Sequence, residues 1–99
     1  MKTYETLYEN EVRPISISIR DEDDNIWAPD SATAKVVNSD GIVVVDEAAA
    51  TVLSNIVTTI ITTVVTSIPG TYEVIWKMGK TLGATYIYYH KTLLSVEEL

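Results

Sequence analysis

His90 is the only histidine of the chain, and it follows a run of tyrosines. A nucleophile–histidine–acid relay would need a serine presented in a motif such as G-x-S-x-G, and no hydroxyl residue has that context. The sequence also lacks a phosphate-binding loop, a dinucleotide fingerprint and a histidine cluster that could bind a metal. The acidic residues fall in turns or on polar faces rather than in a glycosidase pair. We therefore predict a protein that is not an enzyme, with no catalytic residue and no cofactor.

The acidic residues 21–25 could bind calcium, since the first, third and fifth of them match the first three ligand positions of an EF-hand loop. That loop also requires glycine at its sixth position and glutamate at its twelfth, where this chain has Ile26 and Ala32. Asp and Asn side chains also cap their own backbone in turns. We therefore predict a solvated hairpin loop without a metal ligand, while a looser calcium site with Asp30 or Asp46 stays open.

The charge of the chain limits its partners. The 99 residues carry a formal net charge of −7, whereas a nucleic-acid backbone or an anionic membrane surface attracts clustered lysine and arginine. There is no cysteine, so the fold has no disulfide and no thiolate metal site. The first residues lack the apolar segment of a secretory signal. We expect no nucleic-acid partner, no membrane partner and no signal peptide.

The elements that would position any site centre on the last third of the chain. Pro69 and Gly70 fit the second and third positions of a type II turn, and a strand follows over residues 71–78. A tight connection at residues 79–83 leads into a long last strand, residues 84–96. Alternate side chains of the first of these strands form one apolar face, made of Tyr72, Val74, Trp76 and Met78.

Shorter strands precede this hairpin. Residues 11–20 alternate strictly, with isoleucines on one face, and Pro14 indicates an edge position or a strand that begins there. Further strands are predicted at residues 31–37 and 42–45, joined by a hairpin turn at Asp40-Gly41. The second of these two strands does not alternate, which predicts that it is covered on both faces.

The stretch from residue 48 to residue 72 contains no charged side chain. Within it, apolar residues recur every four positions, a spacing that would align Ile56, Ile60 and Val64 on a helix. Nearly all of these residues are β-branched, however, which lowers helix propensity and favours strands. We therefore predict strand. An uncharged strand on an open edge would aggregate, so the domain or a partner must cover it.

Residues 1–11 carry Tyr4, Leu7 and Tyr8 among acidic residues. Their spacing fits one helical turn, which is too short to be stable alone, or an arm that gains order by docking on the body or on a neighbour. We predict an N-terminal arm over residues 1–11 and a single domain over residues 12–99.

The number of strands and the spacing of the turns predict an all-β protein, an immunoglobulin-like antiparallel β-sandwich of about 6–8 strands. Tyr72 lies just after a turn into a late strand, where immunoglobulin-like folds place a corner tyrosine. Trp27 is expected to cover one end of the core.

Three stretches carry a resemblance to a known family: Ile-Ser-Ile-Ser-Ile-Arg-Asp-Glu-Asp-Asp-Asn at residues 15–25, Asn-Ser-Asp-Gly at 38–41 and Ile-Pro-Gly-Thr-Tyr-Glu-Val-Ile-Trp at 68–76. Together they resemble an immunoglobulin-like module of tailed-phage virion structural proteins, and most nearly the amino-terminal domain of phage baseplate upper proteins. The resemblance implies a head, neck, tail or baseplate component that is made in the host cytoplasm and incorporated in the virion. It implies no catalytic residues.

Two functions follow from these observations. The first is a non-enzymatic virion structural protein that contacts other protein subunits, including copies of itself in a homo-oligomer. The second is an immunoglobulin-like binding module that recognises a cell-surface glycan or protein through its tyrosine-rich strand. Both faces of the last strand are apolar or aromatic, which indicates a contact surface besides the core. The residues expected at the interface are Tyr4, Tyr8, Ile56, Ile60, Val64, Tyr86 and Tyr88.

Overall fold

A computed structural model describes residues 2–99, which form two β-sheets around one core. Eight strands and one helical turn follow in chain order: β1 (Lys2–Tyr8), β2 (Arg13–Ser18), β3 (Ser31–Asn38), β4 (Val43–Ala49), β5 (Thr51–Leu53), β6 (Ile56–Ile61), α1 (Thr63–Thr66), β7 (Gly70–Leu82) and β8 (Ala84–Glu97). The larger sheet has the order β1-β8-β7-β3-β4, and the smaller sheet has the order β2-β6-β5. The predicted all-β sandwich is confirmed.

The strand order is that of an immunoglobulin sandwich. The neighbours β2-β6-β5 occupy the places of strands B, E and D, and β8-β7-β3 occupy those of G, F and C. One difference from the prediction lies at the edge, because β1 runs parallel to β8 whereas the other pairings between the described strands are antiparallel. In the smaller sheet β2 therefore pairs with β6 alone and its other side is open, so the edge position indicated by Pro14 is confirmed.

The core forms where alternate side chains of the two sheets meet. The predicted face of β7 is confirmed, since Val74 and Trp76 are both fully buried. Trp76 lies opposite Ala34 of β3, and this small neighbour leaves room for the indole. Trp27 packs against the edge of the same core, as expected for a residue that covers one end of it. One large ring therefore fills the middle of the sandwich.

The hairpin of β7 and β8 is longer than predicted. Residues 79–82 continue β7 instead of forming a connection, and only Gly83, at φ 76°, turns the chain. Gly79 pairs with Ser31, and a Cβ at this position would lie 3.2 Å from the serine hydroxyl. The Asp30 carboxylate then accepts a hydrogen bond of 2.8 Å from the Thr81 amide. Contacts with a distant part of the chain thus keep a glycine-containing segment extended.

The corner before β7 agrees with the prediction in one respect and differs in another. The Tyr72 hydroxyl donates a hydrogen bond of 2.6 Å to the Ile68 carbonyl, so the corner tyrosine is confirmed. The predicted type II turn is wrong, because Gly70 has φ 149° instead of about +80°. Gly70 already pairs with Val96 as the first residue of β7, and this pairing requires a more extended backbone.

The uncharged residues 48–72 do not form one long strand. The strands β5 and β6 make a hairpin that turns at Ser54, with φ 56°. The strand prediction is confirmed for β6 and wrong for α1, which Thr62 caps by accepting a hydrogen bond from the Val64 amide. The Thr66 hydroxyl donates a 2.8 Å hydrogen bond to the Glu11 carbonyl and fixes this corner against the chain before β2. Tertiary contacts at the crossing between sheets override the β-branched composition.

The segment predicted as an arm provides the edge strand β1. Leu7 is fully buried, and the strand pairs in register with β8 from Lys2 to Tyr8, so the helical-turn alternative is wrong. The Arg13 guanidinium donates a hydrogen bond of 2.7 Å to the Thr6 carbonyl and connects β1 to the smaller sheet. Docking on the body is therefore how these residues become ordered.

The opposite edge of the larger sheet corrects another prediction. Residues 42–45 were expected to be covered on both faces, but Ile42 and Val43 are exposed. The strand β4 pairs only with β3, which leaves its outer edge open. Val44 and Val45 pack partly against the core, so the strand is covered at these two residues and open at its start.

Candidate functional site

The β7–β8 hairpin extends beyond the smaller sheet at one end of an elongated molecule of 46 × 22 × 19 Å. Residues 81–89, which we name the hairpin tip, are all exposed and none of them is charged. The tip is thus a solvent-exposed turn with many apolar side chains. Its large exposed side chains are Leu82, Tyr86, Ile87, Tyr88 and Tyr89.

A cleft of about 870 Å³ lies between the hairpin and the acidic turn of residues 21–24. Met78, Tyr88, Tyr89 and His90 form the hairpin wall. The other wall carries Ser18, Ile19, Arg20, Asp21, Glu22 and Asp24. The cleft exists because the smaller sheet is shorter than the hairpin, so it leaves the inner face of the hairpin uncovered.

Trp27 forms the floor between the two walls. Its ring contacts the Tyr88 ring edge to face, with centroids 4.8 Å apart and planes at 72°. The Lys80 ammonium lies 5.4 Å from the centroid of the Trp27 ring, within range of a cation–π contact. Trp27 from the loop, Lys80 from β7 and Tyr88 from β8 therefore form one cluster of contacting side chains.

The acidic turn uses its carboxylates to shape the loop. The Asp21 carboxylate accepts hydrogen bonds from the amides of Asp23, at 3.0 Å, and of Asn25, at 2.9 Å. Arg20 donates to the Asp24 carbonyl at 2.9 Å and lies 3.9 Å from its carboxylate. The predicted solvated loop is confirmed. Within residues 2–99, no group of three or more histidine, aspartate or glutamate side chains is arranged to hold a metal ion.

His90 lies on the inner face of β8, paired across the hairpin with Trp76. It is half-buried, and burial lowers the pKa of its imidazole below the ordinary value of 6.5. The ring is therefore neutral at pH 7. It lines the cleft together with the acidic turn.

The outer face of the smaller sheet is a second uncharged surface. Ile15, Ile17, Val57 and Ile61 point into the core, so the alternate residues of β2 and β6 point outward. These outward residues are Pro14, Ser16, Ser18, Ile56, Thr58 and Ile60. The outer face of the larger sheet is different, since it carries the ion pairs Lys91–Glu73, at 3.6 Å, and Lys77–Glu47, at 3.8 Å.

Beside this surface, a groove of about 300 Å³ opens between β4, β6 and α1. Only alanine, valine, isoleucine and threonine line it, so we name it the apolar groove. Ile60 and Val64 stand at its rim, with exposed fractions of 63% and 62%. It arises because β5 is only three residues long and does not cover the side of the sandwich next to β4.

The structure exposes all seven residues predicted at the interface, on three separate surfaces. Tyr4 and Tyr8 lie on the outer face of the larger sheet, opposite Leu93 and Glu97. Ile56, Ile60 and Val64 lie on or beside the smaller sheet, while Tyr86 and Tyr88 lie on the hairpin. Sequence reasoning missed Leu82, Leu53 and Ile68, which are also exposed. The signal for Leu82 was its position within the uncharged residues 81–89, which the predicted connection obscured.

Comparison with known proteins identifies no family, since no protein-family model and no curated protein matches this chain. Among the described residues, no helix has the length and apolar character needed to cross a membrane. The exposed surfaces and the cleft are therefore the features of the molecule that indicate its function.

Proposed function

We propose that this protein is a non-enzymatic structural subunit that acts through protein–protein contacts in a larger assembly, and that the assembly is a phage virion. The observation that carries the proposal is the hairpin tip, where nine consecutive uncharged residues are exposed. Soluble monomers rarely expose a contiguous apolar surface larger than a few hundred Å². A tip rich in tyrosine, leucine and isoleucine is instead typical of a surface that another protein covers.

The virion setting is supported by resemblance and by fold. The stretches that resemble the phage module include the acidic turn, the β3–β4 turn and the corner at Tyr72. An immunoglobulin-like sandwich is the fold that this resemblance implies. The same fold hosts many functions, so the virion setting is proposed by analogy. The assembly role is supported by the hairpin tip.

The test is the mass of the protein in solution, measured by light scattering from low to high micromolar concentration. We expect the mass to rise above the 11.0 kDa of one chain as the concentration increases. A double variant, Leu82→Ser with Ile87→Ser, should shift that rise to higher concentration, whereas Leu53→Ser on β5 is the matched control. A wild-type protein that stays monomeric throughout would contradict the proposal.

A second candidate function is supported by the cleft, namely recognition of a glycan. Sugars bind to aromatic rings flanked by polar groups, and this cleft has Trp27 and Tyr88 facing carboxylates and a guanidinium. Its volume lies within the range of about 300–1,000 Å³ that is usual for ligand sites. Oligosaccharides added to the protein should then change the fluorescence of partly exposed Trp27 but not that of buried Trp76. The Trp27→Phe variant should lose the response, and absence of any response to a broad set of glycans would exclude this candidate.

A further inference from the structure

We propose that copies of this protein associate head to tail, with the hairpin tip of one copy in the apolar groove of the next. This inference rests on the proposed assembly function and specifies its geometry. It depends on three properties of the two surfaces: their separation along β7, their matching lack of charge, and the acidic turn that accompanies only one of them.

The two surfaces lie far apart along the same strand. The groove residues Ala34 and Val36 pair with Trp76 and Val74 in the middle of β7. Leu82 in the tip lies six residues after Trp76, so the near end of the groove is about 20 Å from the tip at ~3.3 Å per residue. From there the groove continues away from the tip to the α1 corner that precedes β7. A copy therefore cannot place its own tip in its own groove, and the contact must join two molecules.

The two surfaces match in chemistry. The tip offers leucine, isoleucine and tyrosine, and the groove is lined by uncharged residues only. In a chain of net charge −7, most other exposed segments would bring carboxylates to the groove and leave them without partners. With about 300 Å³, the groove is at the low end of ligand-site volumes, so it admits one or two side chains rather than a whole strand. Single apolar side chains of the tip are small enough to enter a groove of about 300 Å³.

The acidic turn excludes the symmetric alternative. It faces Tyr88 and Tyr89 across the cleft, and its four carboxylates at residues 21–24 are exposed. Two tips that paired with each other would bring two such turns together, and like charges at close range disfavour that contact. The apolar groove has no acidic residue in its lining, so a tip that enters it meets no such opposition.

A head-to-tail contact uses two different patches on each copy. Every open assembly therefore still offers one free tip at one end and one free groove at the other, and addition continues until a ring closes. Each single contact is small, and ring closure makes the last contact intramolecular, which strengthens the whole assembly. The groove and the tip then determine the angle between successive subunits.

The experiment uses two double variants that each lose one patch. Leu82→Lys with Ile87→Lys changes the tip, and Ile60→Lys with Val64→Lys changes the groove. All four positions are more than half exposed, so the domain should fold, which circular dichroism checks. Each variant alone should be monomeric at concentrations where the wild type assembles, with an apparent dissociation constant raised more than about tenfold because lysine enters an apolar contact unpaired.

The two variants mixed in equal amounts should form a dimer of about 22 kDa, twice the mass of one chain, and nothing larger. One intact tip meets one intact groove in that mixture, and both remaining patches carry lysine. The control variant Leu53→Lys should assemble like the wild type. If an unfolded variant results, serine at the same positions replaces lysine.

Three outcomes would overturn the inference. A groove variant that still assembles alone would show tip-to-tip contact, and a tip variant that still assembles alone would show contact through other surfaces. A mixture that stays monomeric even at concentrations well above those at which the wild type assembles would exclude the head-to-tail contact and leave the proposed function intact. A wild type that does not assemble would contradict the proposed function itself.

Discussion

The indole Nε1–H of Trp76 donates a hydrogen bond of 2.9 Å to the hydroxyl oxygen of Thr92, and both side chains are buried between the sheets. The bond joins β7 to β8 inside an apolar core. It gives the largest core side chain a partner for its only polar group. Replacement of Thr92 should therefore cost more while the indole N–H is present than after it has been removed.

Thr92→Val should lower the free energy of unfolding by about 1–3 kcal/mol, because it leaves the buried indole N–H without this acceptor. Thr92→Ser, which keeps the hydroxyl, should cost less. In a double-mutant cycle with Trp76→Phe, the valine substitution should cost less than it does in the wild type. Urea denaturation of the four proteins measures these differences. Equal costs in both backgrounds would show that the hydrogen bond does not couple the two residues.

Tyr72→Phe removes the 2.6 Å hydrogen bond from the phenol to the Ile68 carbonyl. The ring itself stays in place, so the variant should lose only about 1 kcal/mol of stability, the usual net contribution of such a bond. The midpoint of urea unfolding should fall while the slope of the transition stays constant. An unchanged midpoint would show that the corner is held by packing alone.

Calcium should have no effect on stability, because the Asp21 carboxylate already accepts hydrogen bonds from its own loop. Thermal melts with millimolar calcium and with a chelator should coincide. Asp21→Ala should lower stability by about 0.5–2 kcal/mol, the usual cost of losing a side chain that caps backbone amides. A melting temperature several degrees higher with calcium would contradict the prediction.

His90 should make stability depend on pH. Burial lowers the pKa of its imidazole below 6.5, so the unfolded chain takes up a proton more readily than the folded protein does. The stability from the neutral ring is complete above pH 6.5 and is lost as the pH falls through 6.5 toward the folded pKa. His90→Gln should therefore lose less stability than the wild type over that interval. Parallel curves of melting temperature against pH would refute this.

The sequence predicted those parts of the fold that depend on neighbouring residues. Alternation placed Trp76 in the core, and the sequence Asp40-Gly41 predicted the β3–β4 turn, where Gly41 has φ 80°. Prediction from the sequence was wrong where a contact with a distant part of the chain determines the local structure. The local sequence predicts a break at Gly79, because the pairing of Gly79 with Ser31 is not visible in it. The helical turn α1 depends in the same way on a hydrogen bond from Thr66 to Glu11.

The candidate surfaces likewise divide into those that the local sequence predicts and those that depend on distant contacts. Exposed apolar residues such as Ile60 and Tyr88 were identified from composition and charge alone. The cleft could not be predicted, because its walls come from segments some sixty residues apart that meet only through the sandwich. The position of Trp27 against Tyr88 likewise depends on how far the hairpin extends past the smaller sheet.

The parallel pairing of β1 with β8 determines when the fold can be completed. Lys2 lies opposite Lys91, so the first strand has no partner until the last strand has been synthesised and has folded onto β7. Long-range closure of this kind slows folding, and β1 is expected to become ordered last. Pulse-labelling hydrogen exchange during refolding should detect amide protection in β7 before it appears in β1. Until then, the nascent chain leaves Leu7 and the edge of β8 accessible to chaperones.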